Sequence, residues 1–120
     1  MFKLVISSSF SAAHYLRGYK GACSKMHGHN WEVRACFGAN KLNKIGMVED
    51  FAVLKNALNS ILQKIDHTVL NEIEPFIEIN PTSENLSSWL FHRLKTSLPN
   101  VKVLWVEVAE TKNNIARLEP

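Results

Sequence analysis

The sequence predicts an α+β fold, an antiparallel sheet with helices packed on one face. Three observations carry this. Residues 2–14, and again the residues from position 27 onward, alternate apolar and polar side chains, the period of a half-buried strand. Between residues 50 and 98 the apolar positions recur every three or four residues instead, the period of an amphipathic helix. A last run, residues 101–110, is apolar on both of its alternating faces. The order is strand, strand, helix, helix, strand. With 120 residues and no repeat, linker or low-complexity tract, residues 1–120 form a single domain.

In the first strand, Phe2, Leu4 and Ile6 share a face, and Phe10, Ala12 and His14 continue the same even phase. Residues 15–26, with Gly18 and Gly21, read as a loop that carries Cys23. The second strand buries its odd positions Trp31, Val33, Ala35 and Phe37, and His27 and His29 share that phase. A turn region at 38–46 leads to a first helix, with Asp50 as N-cap. Its stripe is Phe51, Leu54, Leu58, Ile61 or Leu62, and Ile65, and it ends at Asp66-His67-Thr68. Residues 71–81 are irregular. A second helix follows, with Asn80 as its cap, Pro81 in the first turn and Glu84 at the positive end of the dipole. It buries Leu86, Trp89, Leu90 and Leu94 and stops before Pro99. In the last strand Val101, Val103 and Trp105 oppose Leu104, Val106 and Val108, so this strand is expected to be covered twice, by helices and by another subunit.

Composition excludes several function classes. The formal charge is +3 and the lysines and arginines are scattered, which suits an anionic substrate and leaves no footprint for nucleic acid. No apolar run approaches the roughly 18 residues that span a bilayer, and the apolar start is too short for a signal peptide. The two cysteines, Cys23 and Cys36, suit free thiols in a reducing compartment, so the expected location is the cytoplasm.

The chemistry gathers at three histidines. Residues two apart on a strand share a face, so His27 and His29 aim at one point, and an antiparallel partner brings His14 to it. Three imidazoles with one position open form a catalytic rather than a structural zinc site. Gly28, between two of them, would allow close backbone approach. Cys23 lies just outside that set and beside Lys25, a cation that favours the thiolate and so a base. Cys36 reads as a small buried residue. His67 either satisfies last-turn carbonyls or pairs with Cys23, with a carboxylate such as Asp66 orienting it. Glu110 is in phase with Leu104, Val106 and Val108, either an exposed strand-end residue or a carboxylate held for the two parallel N–H groups of an aminopyrimidinone edge.

The sequence resembles the 6-pyruvoyltetrahydropterin synthase family. The matching pieces, in order, are Phe10-Ser11-Ala12-Ala13-His14, Cys23-x-x-x-His27-Gly28-His29-Asn30, Gly46-Met47-Val48-Glu49-Asp50-Phe51, Asp66-His67-Thr68-Val69-Leu70-Asn71, Pro81-Thr82-Ser83-Glu84-Asn85 and Glu110-Thr111. The three residues between Cys23 and His27 are similar to the bacterial carboxy branch, which serves queuosine biosynthesis; the animal pyruvoyl branch usually has a longer spacer. The resemblance implies a tunnelling fold, with an antiparallel four-stranded sheet, two helices on one side and active sites between subunits of trimers that commonly stack as hexamers. It implies zinc on His14, His27 and His29, Cys23 as proton acceptor, His67 with Asp66 in the catalytic relay, Glu110 as pterin anchor, and Thr82 and Ser83 against the pterin. Arg117 stands where the family's last strand is expected to carry an aromatic.

The expected activity is that of a zinc-dependent lyase. It would convert 7,8-dihydroneopterin triphosphate to 6-carboxy-5,6,7,8-tetrahydropterin, acetaldehyde and triphosphate. Two alternatives stand beside it: the pyruvoyl product, formed without carbon–carbon cleavage, and a non-catalytic pterin- or zinc-binding module.

Overall fold

The structure, a computed structural model, describes residues 1–120. Two long strands, β1 (Phe2–His14) and β2 (His27–Ala39), pair antiparallel without interruption from Phe2↔Ala39 to His14↔His27. This is the pairing their alternation predicts, since the buried even positions of β1 lie opposite the buried odd positions of β2. The chain continues through α1 (Phe51–Leu62), β3 (Thr68–Val69), α2 (Ser83–Ser97), β4 (Lys102–Thr111) and β5 (Asn114–Leu118). The sheet order is β3-β1-β2-β4-β5, so five strands are present where the resemblance implied four. The β3 strand is two residues long and runs parallel to β1, pairing Thr68 with Ala12 and Val69 with Ala13. A strand that short leaves no periodicity to read.

Both helices pack on one face. Asp50 caps α1 as expected, its Oδ1 accepting from the Ala52 N–H at 2.7 Å. Leu54, Leu58, Ile61, Leu62 and Ile65 are buried, but Phe51, in the first turn, is 59% exposed and lies off the core stripe. Helix α2 is capped by Thr82, whose hydroxyl accepts from the Asn85 N–H at 3.0 Å, and not by Asn80. The Asn80 amide is engaged elsewhere: it accepts from the Arg17 N–H at 2.8 Å and donates to the Arg17 carbonyl at 2.9 Å. Asn71 holds Tyr15 in the same two-way manner, at 3.0 and 2.9 Å. The two side chains thus extend β1 by pairing its next residues as a neighbouring strand would.

The helix-free face of β4 is covered within the single chain. Trp105 and Glu107 are both buried there. Arg117 of β5 sits directly opposite Glu107, its Nη2 2.8 Å from Oε1, and its guanidinium lies 4.0 Å from the Trp105 ring centre. Arg34 approaches the same carboxylate at 3.6 Å. A planar cation stacked on an indole takes the place of an aromatic and fixes the register of the last strand. Trp105 and Glu107 on this face are thus already buried within one chain. Cys36 is buried in the strand beside it, and that burial pushes its thiol pKa up, which leaves it an inert packing residue.

Candidate metal centre and active site

The regular β1–β2 ladder sets His14 directly across from His27, with His29 across from Ala12 on the same face. The one register shift along β2 falls between Cys36 and Phe37, at the far end of the strand, so nothing disturbs the phase of the three histidines. The Nε2 atoms of His14 and His27 stand 3.0 Å apart. Trp31, two residues past His29 on the same face and fully buried, forms the floor. Its ring meets those of His14 and His29 edge-on at 4.8 and 5.3 Å, and its indole N–H donates to the Ala12 carbonyl at 3.2 Å.

The other ring nitrogens decide the chemistry. His14 Nδ1 lies 2.8 Å from the Pro81 carbonyl and His27 Nδ1 lies 2.7 Å from the Lys25 carbonyl. A carbonyl only accepts, so each Nδ1 carries the hydrogen, and in a neutral ring Nε2 is then a bare lone pair. Burial lowers the pKa of His14, outweighing the Pro81 hydrogen bond that raises it, so this ring is held neutral. Two ring nitrogens facing one another at 3.0 Å, with both Nδ1 atoms carrying hydrogen, must share a proton or a metal ion between them.

Glu110 completes the set. Its Oε1 is 2.7 Å from His29 Nε2, 3.5 Å from His14 Nε2 and 3.7 Å from His27 Nε2. The nearest of these contacts is not aligned as a hydrogen bond, and His29 Nε2 is buried with no hydrogen-bond partner. One ligand atom from each of His14, His27, His29 and Glu110 lies within 4.8 Å of the others. Ligands at about 2.0–2.1 Å around a tetrahedral zinc are separated by roughly 3.3 Å, and the His14–His27 spacing and the three to Glu110, 2.7–3.7 Å, scatter about that value. The donor set therefore fits a metal ion, and it has one carboxylate more than the sequence suggested.

Asp66 and His67 form a second unit. Asp66 Oδ1 accepts from the Ser11 N–H at 2.9 Å, and Oδ2 lies 3.0 Å from His67 Nδ1. Side chains of adjacent residues rarely meet, and here the left-handed backbone of His67, φ 57°, folds them together. The Ser11 hydrogen bond, with the His67 contact second, lowers the Asp66 pKa and keeps it a carboxylate. His67 Nε2 is left facing solvent, its side chain 81% exposed.

The two units point to opposite sides of the sheet. Ser11, Ala13, Gly28 and Asn30 have the phase opposite to the ligands, and with His67 and Thr68 they line a groove of about 360 Å³ that Ala12 and His29 also border. A Cβ built on Gly28 would meet nothing closer than the Ala12 carbonyl at 3.9 Å, so Gly28 borders this groove rather than permitting a close backbone approach. Within one chain the Cys23 side chain does not reach His67. It is half-buried in a short 3-10 turn, Ala22–Ser24, fixed by the Leu16 N–H to Cys23 carbonyl bond at 2.9 Å. Thr82 and Ser83 start α2 beside Pro81, whose carbonyl orients His14, and the Thr82 hydroxyl is engaged as the cap. A hollow of about 800 Å³ lies at the other end of the sheet, among Met1, Lys3, Lys102 and Trp105, and no site residue lines it.

Sequence reasoning missed the two orienting carbonyls, Pro81 and Lys25, because a backbone acceptor has no residue signature. It also missed Trp31 as the floor, although its position two residues after His29 was the available signal.

A family model described as 6-pyruvoyl tetrahydropterin synthase matches residues 3–120. The chain belongs to this family. It is 44% identical over 113 residues to a putative 6-carboxy-5,6,7,8-tetrahydropterin synthase of Archaeoglobus fulgidus, covering 94% of this chain and 91% of that one. It is 36% identical over 115 residues to the 6-carboxy-5,6,7,8-tetrahydropterin synthase of Synechocystis, covering 91% and 86%. A dihydroneopterin monophosphate aldolase of Pyrococcus furiosus is 30% identical over 97 residues, covering 81% and 78%. Among solved structures, 6-pyruvoyl tetrahydropterin synthase of Caenorhabditis elegans superposes with a TM-score of 0.90 at 29% identity, covering 99% of this chain and 95% of that one. The fold is that of the family, and the chain is a pterin-processing enzyme with a cluster of three histidines and a glutamate able to hold a metal. No helix is long and apolar enough to cross a membrane.

Proposed function

We propose that this chain is a zinc-dependent carbon–carbon lyase that acts on 7,8-dihydroneopterin triphosphate. With one water consumed, it releases 6-carboxy-5,6,7,8-tetrahydropterin, acetaldehyde and triphosphate, in the cytoplasm and in the service of queuosine biosynthesis. The observation that carries the reading is the pair of bare imidazole nitrogens of His14 and His27 at 3.0 Å, which calls for a metal in a chain of pterin-processing kin. The carboxy product is favoured by the names of the Archaeoglobus and Synechocystis relatives.

His14, His27 and His29 hold the zinc, which when bound supplies Lewis-acid polarisation of side-chain oxygens. Asp66 fixes the His67 tautomer, so His67 exchanges protons at its exposed Nε2. Cys23 takes the proton from the substrate side chain. Glu110, with Thr82 and Ser83, positions the pterin ring, and basic side chains hold the triphosphate. His67 lies across the sheet from its own metal centre, which supports a homotrimer or hexamer in which the relay of one subunit serves the metal of the next. The open edges of β3 and β5, with Ile115 57% exposed, favour the same assembly.

One incubation of zinc-loaded protein with 7,8-dihydroneopterin triphosphate tests the reading. Acetaldehyde with 6-carboxytetrahydropterin by mass spectrometry supports it. A pyruvoyl product without acetaldehyde moves the chain to the other branch, a reading that the likeness to the Caenorhabditis structure keeps in view. Bound but unchanged pterin would make it a binding module.

A further inference from the structure

Glu110 stands apart from the rest of its strand. The β2–β4 pairing ends at Glu32↔Ala109, and the β4–β5 pairing shifts register between Ala109 and Thr111. Glu110 is thus the extra residue of a bulge, with no ladder partner on either side. A bulge re-aims its side chain and releases it from the strand's alternation. The carboxylate lies against all three imidazoles, yet it remains 27% exposed and has room to move.

We infer that Glu110 is a removable fourth metal ligand, closing the coordination shell when no substrate is bound and leaving the metal when the pterin ring is gripped. The second half rests on the function proposed above. A carboxylate that accepts two parallel N–H groups needs both oxygens, and with Oε1 among the imidazoles only Oε2 is free. Metal and ring therefore compete for one carboxylate. By linkage, each weakens the binding of the other by the same factor.

The test uses the full chain stripped of metal by a chelator and titrated calorimetrically with Zn2+ alone. Glu110→Ala should weaken Zn2+ binding tenfold or more while the metal-free variant keeps the parental urea midpoint. Glu110→Gln, which keeps the shape and one neutral oxygen donor, should fall between the two and guards against a folding defect in the alanine variant. A pterin without a C6 side chain, which offers the metal no side-chain oxygen, should bind the metal-free parent several-fold tighter than the zinc-loaded parent. It should lower Zn2+ affinity by that same factor, and neither effect should survive in Glu110→Ala. Zn2+ binding as tight in both variants as in the parent overturns the inference. The acetaldehyde assay on the parent reports separately on the lyase reading, so either idea can fail while the other stands.

Discussion

His14 Nε2 and His27 Nε2 face one another at 3.0 Å while both Nδ1 atoms are tied to backbone carbonyls. Neither ring can turn away without losing its carbonyl, so the site is preorganised for a cation. The purified protein should carry about one zinc per chain, and His27→Ala should lose at least a hundredfold in affinity, because three protein nitrogens are the usual minimum of such a site. Elemental analysis after dialysis measures this. Full zinc occupancy in the variant would contradict the assignment.

Burial lowers the folded-state pKa of His14 from 6.5. Between the folded and unfolded pKa values the unfolded chain binds more protons, so stability rises with pH through that window. Metal-free protein should therefore be most stable above pH 6.5 and lose stability progressively on acidification below it. Urea titrations across this range should show a shallower slope for His14→Gln than for the parent.

Thr82 has a structural duty that can be separated from any contact with the pterin. Thr82→Ala removes the α2 cap and should cost about 1 kcal/mol, within the usual span of 0.5–2 kcal/mol. Thr82→Ser should restore most of it. Equilibrium unfolding in urea reads the difference, and an unchanged midpoint in Thr82→Ala would show that the cap contributes nothing.

Asp66→Asn tests the relay. One side-chain atom must still accept from the Ser11 N–H, which turns the new NH2 group toward His67 Nδ1. That nitrogen must then accept, and the hydrogen moves to Nε2. Turnover should fall about a hundredfold or more, the scale for a positioned acid–base group, with zinc content and binding of a non-reacting pterin unchanged. Undiminished turnover would remove Asp66 from the mechanism.

The imidazole triad was legible because strand phase is a property of sequence, and His14, His27 and His29 sit in a ladder without a bulge. Other features depend on tertiary choices. Asn80 and Thr82 are both good caps two residues apart, and Thr82 wins because Arg17 engages Asn80. The Asp66–His67 contact needs a left-handed histidine, which no neighbour signals. Alternation already put Glu110 on the face of the imidazoles, since Val108 pairs with Val33, but the bulge that takes it out of the ladder has no sequence signal. Arg117 was legible as an oddity, but its partner Glu107 appears only once β4 and β5 pair.

The asparagine clasps bear on how the protein ages. Asparagine decays to aspartate when the next residue's backbone nitrogen attacks the side-chain carbonyl. After Asn80 comes Pro81, whose nitrogen carries no hydrogen and cannot close that ring. Asn71 is 4% exposed and bonded to Tyr15 through both ends of its amide, so its carbonyl is not free to swing. A carboxylate at either place would set oxygen against the carbonyl of Arg17 or Tyr15 and loosen the segment that carries the Pro81 carbonyl to His14. The amides that brace the site are placed where deamidation is slow, so old molecules should keep the geometry of new ones.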